Sequence, residues 1–105
     1  MVTVQSVFDN DVNLDLVTLR VVLSRHPEMA RLERLDQAVV AAVAEPDFVL
    51  AGRYGENLAV KRTGDGPSRG GWLVVPYREG EGVSTVFVTK RMEKMLERRL
   101  ILWKR

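Results

Sequence analysis

The chain has 105 residues, sixteen Lys or Arg against fourteen Asp or Glu, a single histidine and no cysteine. That length fits one small domain, residues 1–105, with enough chain to bury a single apolar core. Without cysteine there are no disulfides or thiolate metal sites, and one histidine rules out a multi-histidine centre, so neither a metal nor any other cofactor is expected.

No apolar run approaches the roughly 20 residues that span a bilayer, and the opening MVTVQSVFDND has no basic region or leader-length apolar run. A cytoplasmic protein that does not enter membranes is the expectation. The net charge of +2 is unevenly placed. Residues 1–15 carry Asp9, Asp11 and Asp15 and no base, whereas residues 90–105 carry seven bases against Glu93 and Glu97. Such a basic end suits a polyanion or forms a solvated basic helix.

In chain order, VTVQSVF (2–8) alternates loosely and reads as a strand, and FDNDVNLD follows as a turn-rich connection. Asp15 can cap a helix whose buried face is Leu16, Leu19, Val22 and Leu23. That helix should end near Arg25 or His26, because the residue before Pro27 is pushed out of the α region. A second helix is predicted from about Glu33 to Ala44, with Leu35, Val39, Ala42 and Val43 on one side, ending at Glu45-Pro46. Thereafter the period shortens to that of strands: 47–54, 57–63, 71–79 and 82–90, joined by Gly-containing turns that imply antiparallel pairing. Pro76 marks a bulge or an edge position. Met92, Met95 and Leu96 begin a short basic helix, and LILWKR ends the sequence as an apolar strand or docked tail. The expected class is α+β: two N-terminal helices on one face of a four-stranded, or slightly larger, antiparallel meander, the other face partly open.

Several residues carry possible chemistry. His26, at a helix C-terminus, is favoured as a cation by the last carbonyls and can serve as acid or base; the same position also suits a histidine that merely bonds a carbonyl. Glu28 lies two residues on, within reach of a shared site. Arg62, Lys61 and Arg53 bring positive charge to the strands, where a guanidinium grips phosphate through two donors. Thr85 places a hydroxyl in an apolar strand. Trp72, Tyr77, Phe87 and Trp103 are core aromatics or base-stacking platforms, with Tyr77 singled out because Arg78 adjoins it. GDGPSRGG lacks the Lys-Ser/Thr ending of a phosphate-binding loop.

The stretch LRVVLSRHPEMARLERLDQAVVAAVAEPDFV resembles the helical half of the phage-type barnase–EndoU–colicin–RelE-like (BECR) nucleases, and GGWLVVPYRE with GVSTVFVTK is similar to their closing hairpin. The resemblance covers roughly residues 12–90 and rests chiefly on RHPEM paired with EPDFV. It implies a toxin or a phage or mobile-element ribonuclease, working without metal by attack of the ribose 2′-hydroxyl on the adjacent phosphorus. It makes His26 the catalytic candidate, Arg62, or Lys61 or Arg53, the phosphate-stabilising base and Thr85 the strand hydroxyl. Glu28, as a second acid or base, and Tyr77 with Arg78, as substrate contacts, are candidates from their own positions rather than from the resemblance. Relatives often carry another histidine four residues before His26, where this chain has Val22. RNA is the implied partner, with an antitoxin or immunity protein and a homodimer as further possibilities. The alternative from a different class is a non-catalytic protein- or nucleic-acid-binding module on the same fold.

Overall fold

In a computed structural model, which describes residues 2–25, 35–62 and 71–105, the chain opens with a hairpin rather than a strand and a loop. Strand β1 (Val2–Gln5) pairs antiparallel with β2 (Asp11–Leu14), Val4 facing Val12 and Val2 facing Leu14. Ser6 N–H to Asn10 O (2.9 Å) and Asp9 N–H to Ser6 O (3.0 Å) close the turn. Asp9 takes φ +61°, a left-handed conformation that Asp and Asn tolerate better than other non-glycine residues. Within β2 only Val12 and Leu14 are buried, a period of two confined to four residues and set among acidic and amide side chains. That is why the sequence reads there as a connection.

The Asp15 cap forms as expected: its carboxylate accepts the Val17 N–H at 2.9 Å at the start of α1 (Leu16–Arg25). Leu19 and Val22 are buried, while Val17 and Val21 face outward. Helix α2 (Leu35–Ala44) buries Leu35, Val39, Ala42 and Val43, the expected face, and ends where Pro46 cannot continue it.

Strands β3 (Phe48–Ala51), β4 (Asn57–Arg62), β5 (Trp72–Tyr77) and β6 (Phe87–Thr89) form an antiparallel meander, its last strand reduced to three residues of the expected 82–90. Helix α3 (Met92–Arg98) follows, and the terminal apolar segment is a strand, β7 (Ile101–Lys104). It adds beside β3, giving a five-stranded sheet in the order β6-β5-β4-β3-β7. The described residues thus make an α+β protein with three helices, one strand beyond the four-stranded meander and a separate N-terminal hairpin.

Each face of the sheet has its own core. On the inner face, α1, α2 and the hairpin bury Ala59, Leu73, Val75 and Tyr77 with Leu19, Val22, Val39 and Val43. On the outer face, Leu50, Leu58, Val60 and Val74 pack against Met92 of α3, with Met95 at the margin. Expected to lie partly open, this second face is therefore roofed in its middle by the basic helix.

The hairpin is tied to the sheet at one end. Asn13 donates its N–H to the Glu81 carbonyl and accepts the Val83 N–H, both at 2.9 Å in the β5–β6 connection, and a side chain on Gly82 would meet the Asn13 carbonyl at 2.8 Å, so glycine permits that approach. Glu79 accepts from Ser6 Oγ (2.7 Å) and from Asn57 Nδ2 (3.1 Å), joining the hairpin, β4 and the end of β5. Pro76 lies within β5, and its carbonyl accepts the Ser84 N–H at 2.9 Å, before β6 begins. Its missing N–H thus falls where the β5–β6 ladder is interrupted, a place proline tolerates.

Candidate nucleic-acid interface

Because β4 alternates, its two C-terminal cations point to opposite faces. Lys61 is opposite Leu73, which lies in the inner core, and its Nζ donates to the Glu45 carbonyl at 2.8 Å. A cation at the C-terminal end of α2 is favourably placed against the helix dipole. Arg62 is opposite Trp72, and Trp72 is opposite Thr89, so these three form one row across the outer face. In the adjacent row stand Lys104, Phe48, Val60, Val74 and Phe87.

Aromatic rings and cations meet where these rows end. The Phe48 and Trp72 ring centroids are 5.5 Å apart, inclined at 47°. The Arg62 guanidinium carbon lies 5.5 Å from the centre of the Trp72 ring, within cation–π range. Arg62 is exposed, and Phe48, Trp72 and Phe87 are half-buried, packed against the outer core. Lys90, Arg91 and Lys104, all exposed, follow or join the same rows.

Asp47 fixes this corner. Its Oδ2 accepts the Arg62 backbone N–H at 2.8 Å, its Oδ1 lies 3.6 Å from Arg105 Nη1, and its carbonyl accepts the Arg105 N–H at 3.0 Å. The acidic-Pro-Asp sequence that ends α2 is therefore a structural device. It stops the helix, then clamps β3, β4 and β7 so that Phe48 and Arg62 stand side by side.

The remaining sequence candidates lie elsewhere. His26 and Glu28 lie outside the described residues. Thr85 is half-buried, just before Val86 of the inner core, and four residues from Thr89; four residues of extended chain span about 13 Å. The hydroxyl in the row of Arg62 is thus Thr89, which accepts the Arg91 N–H at 3.1 Å. Arg53 is exposed in the β3–β4 turn, and Arg78 serves that same turn. Its Nη2 donates to the Tyr54 carbonyl at 2.8 Å and lies 4.0 Å from Glu56 Oε2. The Glu56 carboxyl is held below its ordinary range, first by its own backbone N–H, then by those of Tyr54 and Arg53, with Arg78 adding its charge. A side chain on Gly52 would collide with that carboxylate.

Tyr77 is wholly buried in the inner core, so its ring offers no face to a base. Its hydroxyl is buried without a hydrogen-bond partner among the described residues, and burial, with Glu79 nearby, pushes its pKa up. The half-buried pair Phe48 and Trp72 offers what Tyr77 does not. Their signal in the sequence was positional: Arg62 and Trp72 flank one loop, and hairpin closure brings loop-flanking residues together.

On the helix side, a groove of about 410 Å³ between α2 and the hairpin is lined by Val2, Leu14, Val40 and Ala44 and rimmed by Asp36 and Glu45. That rim disfavours phosphate. No helix among the described residues is long and apolar enough to cross a membrane. Compared with family models, curated proteins and solved structures, the chain matches none, so its functional reading rests on its own residues.

Proposed function

We propose that this chain acts on single-stranded RNA, held on the outer face of the sheet, and cleaves it without a metal ion. One observation carries the RNA reading: Arg62 over Trp72, with Phe48 beside it, at a half-open corner edged by Lys90, Arg91 and Lys104. Aromatic faces stack on unpaired bases while guanidinium and ammonium groups track phosphates. A duplex, whose bases are already stacked on one another, has no use for such a platform.

Support for cleavage comes from the RHPEM and EPDFV segments and their resemblance to BECR nucleases. In that chemistry the ribose 2′-hydroxyl loses a proton and attacks phosphorus, a cyclic phosphate forms, and the departing 5′-oxygen takes up a proton. His26 would supply one of these transfers and Glu28 the other. Helix α1, which leads to His26, packs on the inner face whereas Arg62 stands on the outer one, so the charge that develops on the phosphate would fall to Lys61 or Arg53, with Arg62 confined to binding.

The rival reading, a binding module without catalysis, is favoured by the divergence of the two strand cations. Lys61 points away from Arg62 and already satisfies a helix end, so a single phosphate meets only one of them.

One experiment separates the two: labelled single-stranded RNA is incubated in excess EDTA with the parent and with His26→Ala of matched folding. Cyclic-phosphate products from the parent, reduced at least about 100-fold in the variant, support the nuclease, since general acid–base catalysis contributes typically 10²–10⁴-fold. Retention of RNA by the parent without any cleavage supports the binding module. If neither protein retains RNA, the outer face has another role.

A further inference from the structure

Strand β7 pairs with β3 on one side only, and no described strand pairs with its other side. Which of its backbone groups remain open follows from the ladder. The Leu100 carbonyl accepts from Ala51 N–H (2.8 Å), and Arg105 N–H donates to Asp47 O (3.0 Å), so both residues turn their backbone groups toward β3. In an antiparallel ladder a residue's N–H and C=O share a side, and the side alternates along the strand. Ile101 and Lys104, opposite Leu50 and Phe48, therefore turn theirs outward. Between them the register slips, leaving Leu102 as the extra residue of a bulge.

The side chains along this edge are unlike those of a protected edge, which natural proteins blunt with charge throughout. Leu100 is 70% exposed, Ile101 47% and Leu102 40%, and Leu96 on α3 is exposed as well. Around these apolar residues stand Arg98, Arg99, Lys104 and Arg105, and residues 98–105 contain no acid.

We infer that the free edge of β7 is a docking site for an extended, acidic and apolar segment of a protein partner, which adds as a sixth strand. Backbone pairing at Ile101 and Lys104 supplies the alignment, Leu100 to Leu102 the apolar contact, and the surrounding bases the charge preference. A second copy is disfavoured, because antiparallel pairing of two β7 strands would bring like charges together. A lipid surface is disfavoured as well, since it would bury the outward N–H and C=O groups without partners.

The test uses a fluorescein-labelled peptide, Glu-Val-Asp-Val-Glu-Val-Asp, titrated with the whole chain and followed by anisotropy. Its charge-reversed counterpart, with Lys for each acid, is the control. Two variants are compared with the parent, with circular dichroism showing that each is folded. Ile101→Pro removes one outward N–H that β3 does not use, and Ile101→Glu keeps that N–H but repels the acids. The proposal expects saturable binding of the acidic peptide, weakened by salt, no binding of the control, and a loss of about fivefold or more in each variant, the equivalent of one hydrogen bond. It is overturned if the parent does not bind the peptide, or if both variants bind as the parent does. Sedimentation showing a parent dimer that Ile101→Pro dissociates would also overturn it, assigning the edge to a second copy. So would parent binding to phosphatidylserine vesicles that excludes the peptide.

Discussion

The two ends of β4 both present arginines, yet they use them in opposite ways. At its start, Arg78 reaches across to the Tyr54 carbonyl and lies near the Glu56 carboxylate, so it braces the β3–β4 turn. At its end, about 17 Å away along the strand, Arg62 lies over an aromatic ring, next to a second ring, on an exposed corner. A cation that answers a neighbouring carboxylate is structural. One that lies over a half-buried ring suits, on the reading proposed above, a ligand that arrives from outside. The difference lies in the company each arginine keeps, and composition gives no sign of it.

Removing the ring should break the comparison most sharply. In Trp72→Ala, affinity for a fluorescent single-stranded RNA should fall about 10- to 100-fold, since a base stacked on an aromatic contributes ~1–3 kcal/mol. The same variant should leave residual binding that falls steeply with salt, because the cations around the corner remain. Unchanged affinity would move RNA off this face.

The two arginines can then be set against each other. Arg62→Ala should weaken RNA binding several-fold and lower the dependence of log affinity on log salt by about 1, the signature of one phosphate contact. Arg78→Ala should leave RNA affinity alone and lower the melting temperature by a few degrees, through a turn that has lost its clamp. Binding titrations at several salt concentrations, with thermal melts of both proteins, read out both effects. Equal losses of affinity would mean that the RNA path runs the length of the strand.

Tyr77→Phe distinguishes the faces rather than the ends. Its hydroxyl is buried and has no hydrogen-bond partner among the described residues, so deleting it should leave thermal stability unchanged or raise it by up to ~1 kcal/mol. RNA affinity should not move. A drop in RNA binding would show that the inner core communicates with the substrate, and a fall in stability would show that the hydroxyl finds Glu79, Asn57 or Ser6 in solution.

How far these features were legible in the sequence depends on the range over which each is specified. The Asp15 cap and the Leu35, Val39, Ala42 and Val43 face are local patterns, read within one or two helical turns, and they stand in the structure as read. The meander was legible for the same reason, since each strand and its turn are adjacent in sequence. The β1–β2 hairpin was not, because a four-residue strand holding Asp11 and Asn13 has too few apolar positions to show its period. The roof over the outer face was missed because nothing local says that Met92 will meet Leu50, Leu58 and Val60. The candidate site suffered most. Alternation within one strand already separates Lys61 from Arg62 and sets Thr85 on a face with Thr89, but which residues line up across strands depends on register. Register sends Lys61 to the inner face and puts Thr89, rather than Thr85, in line with Arg62. Phe48, Trp72 and Arg62 come together only once β3 and β5 flank β4 and Asp47 binds the corner. His26 and Glu28 lie outside the described residues, so their assignment still rests on the sequence.

Acid offers the finest way to separate the two ends, through Glu56. Its folded pKa lies below the ordinary value of 4.5, chiefly because backbone N–H groups bond the ionised form, its own first. A carboxyl depressed on folding stabilises the protein fully above its unfolded pKa, and that contribution fades as pH falls through the lower folded value. Melting temperature should therefore decline with acid below about pH 4.5, the ordinary value of this carboxyl, as the β3–β4 turn loses the charge that Arg78 and the N–H groups answer. In Glu56→Gln the part of the decline due to this group should vanish, with a lower melting temperature at neutral pH from the start. At the other end of β4 no carboxyl faces the Trp72 ring in the rows defined by strand pairing, so RNA affinity in the two proteins should follow the same course with pH. Melts of parent and variant from neutral pH down to the onset of acid unfolding decide the first point, and binding at two pH values above that onset decides the second. An acid response identical in both proteins would remove Glu56 from the decline and leave the turn held by Arg78 and the Tyr54 carbonyl alone.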